Sequence, residues 1–337
     1  MRGRNGTTLL EVMIVIAIFS IVAVGVFEIV QNMTVANLHM SAQNELTDWG
    51  DSALNAIKDD VLQSRLVYEN DAIGNNYLSR CAFPPAALPL SGSRLPVIDE
   101  LSTFVPDVAG AEKTGNIILF VRCLPPQDMT ITGSAPVLRR SIDLYRFVAY
   151  YLTKAPGRPI GNRADSLVLM TWESQLYADK GQIEALSTKL PDPPGGEKED
   201  IVRQLVASGV DYAWDFSQPV SLAFFRLNGV TGKVITPAEN PHTIAESSDR
   251  KMIASLGYGF ASVAWNPGPA WSVPDTVPRF SIASAALDGF PHGFEVQIIG
   301  PAGARQVMLR LVLSRFIPIG RRNASNETIV IANSREF

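Results

Sequence analysis

From Thr7 to Val30 the chain reads TTLLEVMIVIAIFSIVAVGVFEIV, a 24-residue apolar run whose only acids are Glu11 near its start and Glu28 near its end. As a helix it spans about 36 Å, enough to cross a hydrocarbon core with some tilt. Beyond residue 30 the pattern becomes amphipathic. Leu46, Trp49, Ala53, Ile57 and Val61 recur every three or four residues, with Asp48, Asp51, Asn55, Lys58 and Asp59 between them. The spacing predicts one long helix over residues 7–67, apolar over 7–30 and amphipathic over 31–67. Gly25 and Gly50 are its points of weakness.

From residue 68 to 337 the texture changes to strands and loops. Proline clusters at 84–106, 189–196 and 265–278 mark loops, because proline suits neither helix interiors nor central strands. Between them lie runs rich in β-branched and aromatic residues: Asn116–Val121, Leu144–Leu152, Ser166–Trp172, Val220–Leu227, Phe294–Ile299 and Gln306–Phe316, with a short edge strand at Thr328–Ala332. Residues 201–216 fit strand or helix; Val206, Val210, Tyr212 and Trp214 favour strand. One long helix followed by many strands predicts an α+β fold, the helix packed on a large antiparallel sheet head.

Charge narrows the function. The net charge of −4, with no Lys/Arg stripe beyond the amino terminus, lacks the electrostatic footprint of a nucleic-acid binder. The two cysteines, Cys81 and Cys123, have no CxxC spacing. If the head lies outside the cytoplasm they are candidates for one disulfide, worth about 2–4 kcal/mol; the alternative is two buried thiols.

Three readings compete for residues 1–30. A cleaved secretory signal accounts for Arg2 and Arg4 and, loosely, for Ala23-Val24-Gly25, but leaves Glu11 unexplained. A plain signal anchor, with the arginines holding the amino terminus in the cytoplasm, leaves it unexplained too. An acid at the centre of a spanning helix costs about 2.5–3.5 kcal/mol, so it calls for a partner or for the headgroup region. Gly6-Thr7-Thr8-Leu9-Leu10-Glu11-Val12, behind a short basic leader and ahead of an unbroken apolar run, closely resembles the class III signal of type IV prepilins and type II secretion pseudopilins.

The resemblance implies cleavage between Gly6 and Thr7 by a prepilin peptidase, with residues 1–6 discarded and the new Thr7 amine methylated. It also implies that Glu11 pairs with the Thr7 amine of a neighbouring subunit. A carboxylate opposite an ammonium among packed helices recovers Coulomb energy that the lone acid forfeits. Thr7 stands where the family commonly has phenylalanine, and no proline precedes Pro84, whereas major pilins often carry one in this helix. Layout, the stretch at 57–65 and the late strand pair at 293–299 and 305–316 are similar to W-type minor pilins and J-type minor pseudopilins. The resemblance then implies a structural subunit anchored once in the inner membrane, its head in the periplasm and later at a pilus tip. Implied partners are other minor and major pilins, the inner-membrane assembly platform and a tip adhesin. The alternatives are a type II secretion pseudopilin and, in a different class, a membrane-anchored periplasmic enzyme or binding protein.

Catalytic signatures are not apparent, and no cofactor or metal is expected. Gly232-Lys233 resembles the end of a phosphate loop but lacks the upstream glycine and the Ser/Thr. Gly257-Tyr258-Gly259 reads as a turn or bulge, and His39, His242 and His292 have no ligand spacing. Glu197, Glu199 and Asp200 read as a solvated loop. Trp265 and Trp271, in a proline-stiffened loop, are candidates for an interface or for a lid over the sheet.

Overall fold

The computed structural model describes residues 8–90, 92–100, 104, 113–131, 138–155, 166–187, 196–238, 241–247, 252–254, 293–301, 303–317 and 322–334. Four helices are described: α1 (Leu9–Val61), α2 (Ala72–Arg80), α3 (Lys180–Ser187) and α4 (Glu197–Ala207). The strands are β1 (Ser64–Val67), β2 (Ile98–Asp99), β3 (Ile117–Ile131), β4 (Leu138–Ala155), β5 (Ser166–Glu173), β6 (Tyr177–Asp179), β7 (Tyr212–Trp214), β8 (Phe224–Asn228), β9 (Lys233–Pro237), β10 (Met252–Ala254), β11 (Phe294–Ile299), β12 (Gln306–Ile317) and β13 (Arg322–Asn333).

The long helix is present as one element, and its C-terminal half buries a stripe of Ala42, Leu46, Gly50, Ala53, Leu54, Ile57 and Val61. Trp49 lies off that stripe and stays partly exposed; the turn it was expected to fill is taken by Gly50. The helix also stops at Val61 instead of near residue 67. Ser64 donates its hydroxyl to the Val61 carbonyl at 2.7 Å, and residues 64–67 leave the helix to pair with β3. Strand pairing is the better use of this stretch because it buries Val67 beside Phe120 while keeping the backbone hydrogen-bonded.

Two sheets form the platform under α1. The larger runs β1-β3-β4-β6-β7-β8-β9, with β5 pairing β4 and β10 pairing β5; the smaller runs β13-β12-β11-β2. Pairing is antiparallel apart from β6 with β7 and β11 with β2. A reciprocal pair of backbone bonds between Gly115 and Val296, at 2.9 and 2.8 Å, stitches the two sheets together just before β3 begins. The expected single antiparallel sheet is thus two joined, mostly antiparallel sheets.

Alternation along β3 and β4 decides which residues meet the helix. Ile118, Phe120, Val148, Tyr150 and Leu152 join Leu54, Ile57 and Val61, together with Val296, Leu309 and Leu311 of the smaller sheet. The intervening residues Leu119, Val121, Phe147 and Tyr151 face the other way, into an aromatic layer with Tyr77, Trp172, Tyr177 and Trp214. Burial on both faces explains why Asn116–Val121 reads as continuous apolar sequence and not as alternation.

Two other expectations change. Residues 201–216 divide: Ile201, Val202 and Leu205 form the buried stripe of α4, and only Tyr212–Trp214 is strand. Glu197, Glu199 and Asp200, read as a solvated loop, occupy the first turn of α4, where acids complement the exposed backbone N–H groups. The edge strand at the carboxyl end is longer than predicted, since β13 pairs with β12 along its whole length.

Gly50 is a packing requirement and not a bend. A Cβ added there would meet Thr328 Oγ1 at 2.5 Å and Leu313 Cδ1 at 3.7 Å, so the helix lies on β13 at a distance only glycine permits. Alanine is favoured over glycine in a helix by about 1 kcal/mol, yet Gly50→Ala is expected to lower stability by about 1–2 kcal/mol. Thr328→Ala in the same chain should recover part of that loss. Chemical denaturation of the three variants checks the sign and the coupling.

Candidate functional site

What stands out is the first half of α1, which among the described residues packs no buried side chain against the head. The first buried residue of the helix is Ala42, so residues 9–41 project by roughly 50 Å at 1.5 Å per residue. Leu9, Ile14, Phe19, Ile21, Phe27 and Ile29 are all more than half exposed or close to it. Among the described residues this is the one helix long and apolar enough to cross a membrane. Its internal hydroxyls are satisfied within the helix: Ser20 donates to the Ile16 carbonyl and Thr34 to that of Val30, each at 2.8 Å. A helix meets its own backbone needs in hydrocarbon, and these side chains add no unpaired polar group.

At the tip, Thr8 is the N-cap in an extended conformation, and a reciprocal capping box joins it to Glu11. The Thr8 backbone N–H donates to Glu11 Oε2 at 2.9 Å, and the Glu11 N–H donates to Thr8 Oγ1 at 3.4 Å. The Thr-x-x-Glu spacing needed for this box is readable at residues 8–11, whereas the family resemblance implies only an intermolecular partner for Glu11. Within the single chain Glu11 therefore already accepts one hydrogen bond, while its side chain remains exposed. Gly6 and Thr7 lie outside the described residues.

The root of the helix is held by a charged clasp that the sequence did not announce. Asp60 accepts from Arg122 Nη1 at 2.8 Å and from the Tyr150 hydroxyl at 2.5 Å. Glu173 accepts from Arg122 Nη2 at 3.1 Å and from Arg146 Nη1 at 2.8 Å. Arg122 and Arg146 face each other across β3 and β4, so the two acids separate what would otherwise be a like-charge pair. Burial opposes the charge on Arg122, but Asp60 and Glu173 outweigh it and hold its pKa above the ordinary value. The clasp ties α1 to β3, β4 and β5 at once.

In the head, the cysteines do not form the expected disulfide. Cys81 is buried in the aromatic layer with its thiol directed to the Tyr77 carbonyl at 3.4 Å, while Cys123 sits on β3 opposite Tyr145 with its thiol toward the Leu124 carbonyl. Burial raises both thiol pKa values, which makes them poor nucleophiles. His39 is on α1 and His242 is buried in the aromatic layer. No group of three metal-ligating side chains occurs among the described residues. Gly232 ends the turn between β8 and β9, at φ +63°, and Lys233 opens β9. Trp265, Trp271, His292 and Gly257-Tyr258-Gly259 lie outside the described residues.

Compared with known proteins, residues 1–27 match the prokaryotic N-terminal methylation motif. No curated protein and no solved structure matches the chain.

Removing the Asp60 carboxylate leaves Arg122 half paired and the Tyr150 hydroxyl without its acceptor. Asp60→Ala is expected to cost about 2–3 kcal/mol. Amide exchange would show the loss first at the last turns of α1, ahead of β12 and β13; uniform loosening of the whole head would contradict the clasp.

Proposed function

We propose that this chain, which carries the N-terminal methylation motif of the type IV pilin and pseudopilin family, is a minor pilin that helps prime filament assembly. The observation that carries the reading is the projecting apolar helix with Glu11 one turn from its start. Such a helix has two stable environments, a bilayer and a bundle of similar helices, and the protein passes from the first to the second.

In this reading the prepilin peptidase cuts between Gly6 and Thr7, Thr7 is methylated, and the protein sits once across the inner membrane with its head in the periplasm. The mature helix begins with an ammonium at Thr7, four residues before Glu11. Docking brings the Thr7 amine of a neighbouring subunit to the Glu11 carboxylate. The capping box supplies Glu11 with one N–H donor beforehand, so assembly adds a full charge to an acid that is already partly satisfied. A charge pair inside apolar packing is strong in geometry and costly to leave half made, which ties insertion to correct register.

The size of the head favours a tip position. The head, residues 68–337, is large beside the helix that carries it, and a tip position leaves one side of it free of continuous packing. Other minor and major pilins, the assembly platform and a tip adhesin are its partners in this account. The role is structural, and the protein is not an enzyme. The same processing and docking serve a type II secretion pseudopilin, which is the second reading because the methylation motif is common to both.

Glu11→Gln keeps the cap acceptor but removes the charge. It is expected to leave cleavage and methylation intact and to lower surface filament number by about tenfold or more, since one unpaired buried ammonium costs several kcal/mol. Counting filaments by electron microscopy and locating the protein by immunogold labelling tests both parts. Normal filament numbers overturn the charge-pair role, and label spread along the whole filament at high copy overturns the tip position.

A further inference from the structure

The strap Pro241–Ser247 crosses the aromatic face of the larger sheet and joins two elements that do not otherwise pair there. The Ile244 N–H donates to the Arg80 carbonyl and the Ala82 N–H to the Ile244 carbonyl, both at 2.9 Å. On its other side the Gln175 N–H donates to the Ala245 carbonyl at 3.0 Å and the Ser247 N–H to the Glu173 carbonyl at 2.8 Å. The strap thus binds the end of α2 to the connection between β5 and β6.

His242 is its buried fastening. The imidazole is 8% exposed and lies 4.6 Å from the Tyr212 ring, 4.6 Å from the Phe224 ring and 6.1 Å from the Tyr177 ring, which meets it edge on. Its hydrogen-bond partner is the Tyr177 hydroxyl, 3.2 Å from Nε2. That hydroxyl also accepts from Gln175 Nε2 at 3.2 Å, and by donating its own proton to His242 Nε2 it satisfies a neutral imidazole. A proton on Nε2 would turn the Tyr177 hydroxyl away into an aromatic enclosure. The charged and titratable groups facing the ring are Arg80 from α2, Tyr177 from β6 and Tyr212 from β7; β8 contributes Phe224. Among the described residues no carboxylate hydrogen-bonds the ring, and Arg80 adds a like charge to any imidazolium.

We propose that the strap is an acid-released latch: it is closed while His242 is neutral, and protonation of the imidazole frees Pro241–Ser247 from α2 and from the β5–β6 connection before the sheet itself opens. Burial and the Arg80 charge agree in direction, holding the His242 pKa down at about 4 against an ordinary value of 6.5. The unfolded or released strap therefore takes up the proton first. The latch is fully closed above about pH 6.5 and weakens progressively as the pH falls toward about 4. Release uncovers the aromatic layer, so the head presents in acid an apolar surface that it hides at neutral pH.

Amide hydrogen exchange on the full chain in detergent micelles, corrected for the intrinsic pH dependence of exchange, reads this directly. Between about pH 7 and about pH 4.5 the Ala82, Gln175, Ile244 and Ser247 amides are expected to lose about tenfold or more of their protection relative to Ile118 and Val148. His242→Gln, which keeps a neutral polar group beside Tyr177, should hold its protection at both values. Unchanged wild-type protection at the lower pH, or an equal loss in His242→Gln, overturns the latch. Should that variant fail to fold, the imidazole C–H resonance of the wild type, identified with His39→Gln and His292→Gln, gives the midpoint. A midpoint near 4 that coincides with strap opening supports the latch, and one near 6.5 overturns it.

Discussion

The packing of one helix against two sheets is the contact on which the rest of the molecule depends. Leu54, Ile57 and Val61 meet Ile118, Phe120 and Val148 of the larger sheet and Val296, Leu309 and Leu311 of the smaller one. Among the described residues one isolated backbone bridge, at Gly115 and Val296, joins the sheets, and the shared helix packs across both. Gly50 sets how closely the helix lies on β13, and the Asp60–Arg122–Glu173–Arg146 clasp fixes its end. With its root held in this way, the helix can project its other half free of the head.

That projection gives the amino-terminal acid its meaning. α1 is one continuous helix, and its first buried residue is Ala42. The described part of the head leaves the apolar half uncovered, and in the proposed role lipid covers it first and other helices after. Glu11 travels with it, capped by Thr8 but not neutralised. In the proposed assembly role the cap keeps the acid oriented for the amine of a neighbouring subunit.

Much of this was legible in the chain. The apolar run at 7–30 and the stripe of Leu46, Ala53, Ile57 and Val61 carry the helical period plainly, and Phe294–Ile299 and Gln306–Phe316 carry strand character strong enough to place β11 and β12. Trp49 misled because its size suggested burial, whereas a close helix–sheet contact requires the small Gly50. Residues 201–216 misled because Val206, Val210, Tyr212 and Trp214 favour strand, while three acids in the first turn and the Ile201–Leu205 spacing favour the helix that forms over the first part. The clasp and the His242 enclosure were not legible at all. Asp60, Arg122 and Glu173, like Tyr177, Tyr212, Phe224 and His242, are far apart in sequence and meet only through strand register. Ligand spacing carries no signal for His242, because its neighbours are aromatic rings.

The central claim is that the amino-terminal helix is a processed assembly element and not a plain anchor. Intact-mass and amino-terminal peptide analysis of the protein purified from its native membrane tests it most directly. The account predicts a mature chain that begins at Thr7 with a methylated amine. A chain that retains Met1, or one that begins near Val26 after ordinary signal cleavage, would contradict it.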